Sequence, residues 1–348
     1  MRPRFSIIIP VFNVEKYLEE CLQSLLNQTF KDFEVLCVEN ASTDNSREIL
    51  ADFSKKYSRI IPFYMDENLC PAKARNMAIK EAKGEILCFL DSDDYVKEDY
   101  FASINQAFLE NDTDIVEFDF EQFREKDSTT IKNPRFVTLK NIFSLDFKHK
   151  SSYLFNECKD IGLEVLGFYS WRRAYKKNFI LNNEIFYQEN ARISEDVIFE
   201  VKCNLLAQKK IVVINKPLYI YRIRQGSLSR SSDVTGKSLD IFKVSDNVEN
   251  FLKEHNLFNE YEKAFNSFKL KEFCTYISNV NNDNLLTYQK EAQKRLSPKD
   301  YKELIRYYHG RHGILNNILS LRNIRHEGKR TKVLTILGLQ IKLYEKKN

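Results

Sequence analysis

The first 120 residues alternate short apolar runs with longer segments whose apolar residues recur at helical spacing. The runs predict strands over 5–9, 33–39, 60–65 and 86–90, with helices between them. This alternation favours an α/β fold, in which a mainly parallel sheet is flanked by helices. Ligands of such sheets bind outside the carboxyl ends of the strands, so functional residues are expected where the strands end.

The apolar run Ile86–Leu90 leads directly into Asp91, Asp93 and Asp94. Carboxylates crowded at a strand end repel one another unless a cation or several hydrogen-bond donors compensate. A divalent cation shared with a phosphate is one such compensation, because Mg²⁺ commonly binds one or two carboxylates together with phosphate oxygens. An acidic loop that caps the next helix is the alternative interpretation.

The rest of the chain is less regular. Strands are predicted near 115–120 and 211–221, and helical patterns dominate after about residue 231. We therefore predict a domain over 1–230, a helical C-terminal region over 231–330, and a basic tail over 331–348 that forms a small hairpin or lies on a surface. An apolar N-terminal signal and an uninterrupted apolar run of about 18 residues are both missing, which predicts a protein that is neither exported nor membrane-spanning.

The net charge of +5 is unevenly distributed, because residues 301–348 carry eleven Lys or Arg and three acids. A basic tail predicts attraction to an anionic partner such as lipid head groups, a phospholipid-linked substrate or nucleic acid. A solvated helical face is the alternative. The seven cysteines show no metal-type spacing, which predicts buried, reduced thiols in a cytosolic protein.

Several motifs follow one another in a specific order between about residues 5 and 230, roughly two thirds of the chain. They are Ile7-Ile-Ile-Pro-Val-Phe-Asn13, Asn27–Val35, Glu39–Ser46, Asn68 with Ala74-Arg-Asn76, Asp91-Ser-Asp-Asp94, Trp171-Arg-Arg-Ala-Tyr175, Ser194-Glu-Asp-Val-Ile-Phe199 and Tyr221–Ser229. Together these motifs resemble the inverting family 2 glycosyltransferases. The resemblance implies a GT-A fold (Rossmann-like, with a mainly parallel sheet flanked by helices) and a C-terminal helical extension.

The resemblance also implies an activity, that of a hexosyltransferase-type enzyme. The donor would be a nucleotide sugar of the UDP type, and the acceptor would be a hydroxyl of a glycan or lipid-linked glycan. Bacterial surface polysaccharides such as lipopolysaccharide or capsule are the implied setting. The cofactor would be Mg²⁺ or Mn²⁺, held by Asp93 of an Asp-x-Asp motif. The implied donor-binding residues are Pro10, Val11, Phe12, Asn40, Arg75, Asp91, Ser92, Arg173 and Arg224.

Some of these residues carry specific expectations from the family. Phe12 would stack on the base, and Asp91 would hold the ribose. Asn40 stands where the family usually has an aspartate that accepts a hydrogen bond from the base, and an amide carbonyl can also accept one. Arg224 would contact the diphosphate. Arg173 stands where the family has a lysine, and would touch phosphate or acceptor.

The acids Glu195 and Asp196 are the implied catalytic pair, with Asp196 as the general base. A structural interpretation accounts for the same residues: Ser194 would be the N-cap of a helix, and acids in a first helical turn favour the helix dipole. The sequence alone leaves both interpretations open.

Two other functions are alternatives to the transferase. A sugar-phosphate nucleotidylyltransferase would need a glycine-rich phosphate loop after the first strand, and Pro10–Asn13 contains no glycine. A non-catalytic nucleotide-sugar or glycan-binding module of the same fold is the alternative, although the acids at 93, 195 and 196 favour an enzyme. No nucleic-acid-binding motif is recognised. The expected location is the cytoplasm, with peripheral contact to the anionic inner face of the cytoplasmic membrane through the basic C-terminus.

Overall fold

The computed structural model describes residues 2–132, 152–154, 163, 169–224, 236–312, 319–326, 329–336 and 339–347, with side chains as far as residue 309. The predicted α/β fold is confirmed: ten strands form one mixed sheet with helices packed on it. The strands of this sheet are β1 (Phe5–Val11), β2 (Phe33–Glu39), β3 (Ile60–Tyr64), β4 (Ile86–Phe89), β5 (Tyr95–Val96), β6 (Ile115–Arg124), β7 (Thr129–Lys132), β8 (Ser152–Tyr153), β9 (Arg173–Lys176) and β10 (Ile211–Ile223).

The helices fall into two groups along the chain. Six lie within the region of the large sheet: α1 (Leu18–Leu26), α2 (Ser46–Lys56), α3 (Pro71–Glu81), α4 (Tyr100–Glu110), α5 (Lys177–Asn182) and α6 (Asp196–Leu206). Four follow it: α7 (Asp240–Glu254), α8 (Phe258–Ile277), α9 (Asn282–Arg295) and α10 (Pro298–His312).

The sheet has a parallel half and a mixed half. Its strand order is β3-β2-β1-β4-β9-β6-β10-β5, with β7 on β6 and β8 on β10. Strands β1 to β4 run parallel, and Ile8 lies opposite both Leu36 and Phe89. Strand β9 runs antiparallel between β4 and β6, and it joins the two halves. The carboxyl ends of β1, β2 and β4 consequently meet at one edge.

Both faces of the sheet are buried. In β1, Ile7 and Ile9 pack with helices α1 and α4 on one face, whereas Ile8 packs with α3 on the other. Strands buried on both sides contain continuous apolar runs instead of alternating ones. This explains why the first four strands were recognisable from their composition alone.

The chain divides into two compact units. The first comprises Met1–Ser231 with Lys243–Phe265, and the second comprises Ser232–Phe242 with Asn266–Asn348. In the second unit the helices end at His312, before the expected limit of 330. A three-stranded antiparallel sheet follows, made of β11 (Leu319–His326), β12 (Lys329–Ile336) and β13 (Leu339–Lys347). For residues 331–348 the sequence predicted a small hairpin or a segment that lies on a surface.

Two other expectations concern the whole chain. Among the described helices, none combines the length and apolar content needed to cross a bilayer. Six cysteines are free thiols, of which Cys21, Cys37, Cys88 and Cys203 are buried. Cys158 lies outside the described residues.

Candidate active site

One guanidinium connects the acidic loop after β4 with the acid pair at the start of α6. Arg75, on α3, donates from Nη2 to Asp91 Oδ1 and from Nη1 to Glu195 Oε1, each at 2.9 Å. Its cation also lies 5.3 Å over the ring of Tyr187. Two acidic segments separated by about a hundred residues in the sequence are therefore connected by one arginine.

The environment of Asp196 changes its acidity. The residue begins α6 and is half-buried beside Glu195. Burial raises the pKa of Asp196 well above its usual range, the charge of Glu195 raises it further, and the Arg75 cation opposes both effects. A base is most effective when its pKa lies near the working pH. The surroundings of Asp196 move its pKa in that direction.

The helix-capping interpretation of the acid pair fits the structure less well. Ser194 has a left-handed backbone conformation with φ of 50°, and Glu195 takes the cap position. The Glu195 side chain makes no capping hydrogen bond and is paired with Arg75 instead. Glu195 is thus connected through Arg75 to Asp91 of the acidic loop.

Two arginines of β10 and the segment after it converge on Asp93. Arg224 Nε donates to Asp93 Oδ2 at 2.6 Å, and Arg222 Nε donates to the Asp93 carbonyl at 2.8 Å. Arg222 is buried among the rings of Tyr17, Tyr95 and Phe123, at 5.2–5.4 Å. The two arginines alternate along the strand, so their side chains reach the same loop.

Asp94 has a structural role in this loop. It is buried, and it accepts hydrogen bonds from Tyr219 Oη at 2.6 Å and from the Arg222 backbone at 2.7 Å. Burial raises its pKa well above the usual range, and the charges of Asp93 and Asp91 add to this effect. The Tyr219 ring stacks on Trp171, with centroids 4.4 Å apart. Asp94 therefore ties the acidic loop to β10.

Phe12 follows β1 at the same edge of the sheet and leaves 38% of its surface exposed, which a planar base can cover. Pro10 and Val11 are paired with β2, and Val11 accepts a hydrogen bond from Asn40 N at 2.9 Å. Ser92 is buried within the acidic loop. These four positions lie at or just beyond the carboxyl ends of the parallel strands β1 and β4.

The Asn40 side chain forms hydrogen bonds with a neighbouring loop. Its Oδ1 accepts from Leu69 N at 2.7 Å, and its Nδ2 donates to Asn68 Oδ1 at 3.0 Å and to Leu69 O at 2.5 Å. Both ends of the amide are thus engaged within the protein. A hydrogen bond from a base would have to compete with these contacts.

Glu39, which the sequence interpretation did not single out, is a better acceptor at this place. It ends β2 and is buried, and its Oε1 accepts from Ser42 N at 2.7 Å. Among the described residues its Oε2 has no hydrogen-bond partner, with Arg47 Nε 3.5 Å away. An acid that directly follows the apolar run Val35–Val38 at the end of β2 is the signal that identifies it.

The Arg173 side chain is enclosed within the protein. It is only 1% exposed, and its donors reach Glu117, Glu200, Asn204 and the hydroxyl of Tyr153. A guanidinium has five N–H groups, and these contacts use every one of its nitrogens. A phosphate or acceptor would find no available donor on Arg173, so we leave it out of the proposed donor site.

The acidic loop offers few ligands to a metal ion. Within the described residues no group of three or more His, Cys, Asp or Glu side chains is arranged to hold one. Asp91 is paired with Arg75 and is 33% exposed, and Asp93 is paired with Arg224 and is 21% exposed. Mg²⁺ in nucleotide sites is often held by one or two carboxylates plus phosphates and water. The residues present fit that mode, with Asp93 as the protein ligand.

Comparison with known proteins agrees with this geometry. The profile described as "Glycosyl transferase family 2" matches residues 6–181. "Glycosyltransferase GlyG" of Streptococcus pneumoniae is 28% identical over 294 residues, which cover 79% of this chain and 95% of GlyG. "Glycosyltransferase GlyA" of the same species is 31% identical over 231 residues, which cover 65% of this chain but 32% of GlyA. The matched region thus spans about a third of that longer relative.

Solved structures support the same conclusion about the fold. The structure of "S. aureus TarS 1-349 in complex with UDP-GlcNAc" superposes with a TM-score of 0.62 at 21% identity, covering 94% of this chain and 96% of that one. The sheet and its flanking helices define the GT-A class of fold, as predicted. The chain belongs to glycosyl transferase family 2. It is therefore a transferase.

Proposed function

We propose that this transferase moves a sugar from a UDP donor to a hydroxyl of a cell-surface glycan, in a single displacement that inverts the anomeric carbon. The observation that carries the proposal is the Arg75 bridge between Asp91 and Glu195. One arginine side chain thus spans the distance between the candidate donor loop and the acid pair that contains the candidate base.

The donor is inferred from the nucleotide end of the site. Phe12 offers an exposed ring for stacking, and the spare oxygen of Glu39 can accept the N–H of a uracil ring. The name of the S. aureus TarS complex with UDP-GlcNAc supports a uridine nucleotide. We assign Phe12 and Glu39 to the base, Asp91 to the ribose and Arg224 to the diphosphate.

Asp93 is the proposed ligand of Mg²⁺ or Mn²⁺. Arg224 forms an ion pair with Asp93. When bound, such a metal stabilises the negative charge that develops on a diphosphate leaving group. Arg224 is a fixed cation beside the same position, and it can contribute to this stabilisation. Both groups act on the leaving group and neither takes up the acceptor's proton.

Asp196 is the proposed general base. As the acceptor oxygen bonds to the anomeric carbon, the bond from that carbon to the diphosphate oxygen breaks on the opposite face. The hydroxyl proton passes to an Asp196 carboxylate oxygen, and the bonding electrons leave with the diphosphate. Glu195 pairs with Arg75 and orients this cation beside the base.

The acceptor class is inferred from relatives. Their names include the poly(ribitol-phosphate) beta-glucosyltransferase of Bacillus spizizenii and the TarS beta-N-acetylglucosaminyltransferase of Staphylococcus aureus. The acceptor that both names share is a poly(ribitol-phosphate) polymer. The basic residues 301–348 would favour an anionic polymer or membrane surface near the acceptor.

The test is release of UDP from a panel of UDP sugars, with and without surface-polymer acceptors. We expect Asp196→Asn to lower turnover by about 10²–10⁴-fold while UDP binding stays unchanged, because a general base contributes that much. Asp44→Asn is a matched control, since Asp44 accepts backbone hydrogen bonds beside Glu15 and Ser46, away from the acid pair. Retention of more than about a tenth of the wild-type rate would remove Asp196 from this role.

A further inference from the structure

A fully buried guanidinium links the central sheet to the helix that begins with the acid pair. Arg173 Nη1 donates to Glu200 Oε2 at 2.6 Å and to Asn204 Oδ1 at 2.8 Å, both on α6. Its Nε and Nη2 donate to Glu117 Oε2 on β6, at 3.2 and 3.1 Å. All four side chains are buried. The contacts therefore form a fixed connection between β6 and α6.

The residues that Arg173 holds share a helix face with the candidate base. Asp196, Glu200 and Asn204 follow one another at intervals of four residues. Residues four apart lie on the same side of a helix. A rotation of α6 that redirects Asp196 would consequently move Glu200 and Asn204 away from Arg173 and break its hydrogen bonds.

We propose that Arg173 is a positioning residue: by holding Glu200 and Asn204 it fixes the rotation of α6, and with it the direction of the Asp196 carboxylate. This inference rests on the proposed function of Asp196. The start of α6 needs such an anchor because the Glu195 side chain makes no capping hydrogen bond there. A displacement of about 1 Å in a reacting group costs about 10²-fold in rate.

The contacts of Arg173 also affect the charged groups around Asp196. The charged groups that face this carboxyl are Glu195 at the helix start, Arg75 from α3 and Glu200 on α6, and the phenol of Tyr187 lies close by. Burial raises the pKa of Asp196, and Glu195 and Glu200 raise it further. Burial likewise raises the pKa of Glu200, and the Arg173 cation opposes this. Arg173 thus favours the ionised form of Glu200.

The first test compares Arg173→Lys with Ile104→Ala. A lysine keeps the charge, but it lacks the planar fork that reaches β6 and α6 together. Ile104 is buried against the opposite face of the sheet, so its truncation lowers stability without touching α6. We expect Arg173→Lys to lower kcat by about 10–100-fold with donor KM unchanged. The Ile104→Ala control keeps wild-type kcat below its melting temperature.

The second readout needs no transferase activity. The ¹³C resonance of the Asp196 carboxyl, assigned by its loss in Asp196→Asn, is titrated in each variant. We expect its titration midpoint to fall in Arg173→Lys, because a redirected carboxylate is better solvated. Ile104→Ala should leave the midpoint unchanged. An enzyme without any donor turnover would contradict the proposed function, while this titration still decides the role of Arg173.

The proposal is overturned if folded Arg173→Lys keeps both the wild-type midpoint and the wild-type kcat. It is also overturned if Ile104→Ala, at an equal loss of melting temperature, changes both quantities as much. Should Arg173→Lys fail to fold, Asn204→Ala replaces it. That variant keeps the pair between Arg173 and Glu200 and removes the second contact. A smaller fall in the midpoint is expected, and an unchanged midpoint contradicts the proposal.

Discussion

The bridge made by Arg75 leads to a prediction about stability that does not depend on knowing the substrates. Arg75→Met keeps the approximate length of the side chain and removes its charge. Asp91 and Glu195 then lose the cation that lies between them. We expect the free energy of unfolding to fall, and the size of the fall to depend on pH.

The size follows from the geometry of the bridge. Two unit charges about 4 Å apart interact by roughly 4 kcal/mol at an effective dielectric constant of about 20. Removing one partner of a buried pair costs about 3–5 kcal/mol. Asp91 and Glu195 keep 33% and 20% of their side chains exposed, so water screens part of this interaction. We therefore expect a loss of about 3 kcal/mol at pH 8.

The pH dependence follows from the acids that Arg75 faces. Burial raises the pKa of Asp91 and of Asp196, and Arg75 opposes this rise in both. Without Arg75, both pKa values rise further in the folded state. An acid with a raised folded pKa keeps its contribution to stability below its unfolded pKa of about 4, and loses it as the pH rises through the folded pKa. The penalty of Arg75→Met should thus be small near pH 4 and grow towards pH 8.

Urea unfolding at pH 4.5 and pH 8 measures this difference. Trp171, the single tryptophan, is buried in the same unit and reports the transition by its fluorescence. Arg124→Met is the control, since Arg124 and Asp127 form an exposed pair expected to contribute about 0–1 kcal/mol at either pH. An equal penalty at both pH values would refute the reasoning, and so would a penalty under about 1 kcal/mol at pH 8.

Three further predictions address the site and the loop beside it. The rate of transfer should rise with pH on its acidic side through the raised pKa of Asp196, and Asp196→Asn should remove that rise from any residual rate. UDP should raise the melting temperature more with Mn²⁺ than with EDTA, and Asp93→Asn should abolish the difference, since Asp93 is the proposed ligand. Ala41, next to Asn40, has φ of 58°, so Ala41→Gly should stabilise the protein by roughly 0.5–1 kcal/mol. In the helical control Ala51→Gly, the same change should cost about 1 kcal/mol. A loss of stability in Ala41→Gly would contradict the strain argument.

In the parallel half of the sheet, β1, β2 and β4 were predictable because they are buried on both faces. The run 33–39 was predicted from composition, and β2 has those limits. The mixed half was not predictable in the same way. Strand β9 has four residues, and β5 and β8 have two each, too few for a periodic pattern to be recognised. Their places depend on pairing with strands that are distant in the sequence.

The candidate site was also predictable only in part. Residue types at strand ends identified the acids, but the partners of the arginines depend on the tertiary fold. Arg173 was assigned to phosphate or acceptor, whereas its partners Glu117 and Glu200 lie 56 and 27 residues away in the sequence. Asn40 was assigned to the base by position in a motif, yet its amide is engaged with Asn68 and Leu69. A motif identifies a region, and the hydrogen bonds decide which atoms remain available.

The acidic loop is held from two sides, and this determines how it can serve a donor. Asp91 is bound by Arg75 on the side of the acid pair, and Asp94 is bound by Tyr219 on the side of β10. Asp93 lies between them, and its partner Arg224 comes from the segment after β10. Because Asp91 and Asp94 are held on either side of it, Asp93 loses little conformational freedom when a ligand binds. The loop is therefore preorganised, and Asp93 with Arg224 is the pair that we propose meets the diphosphate.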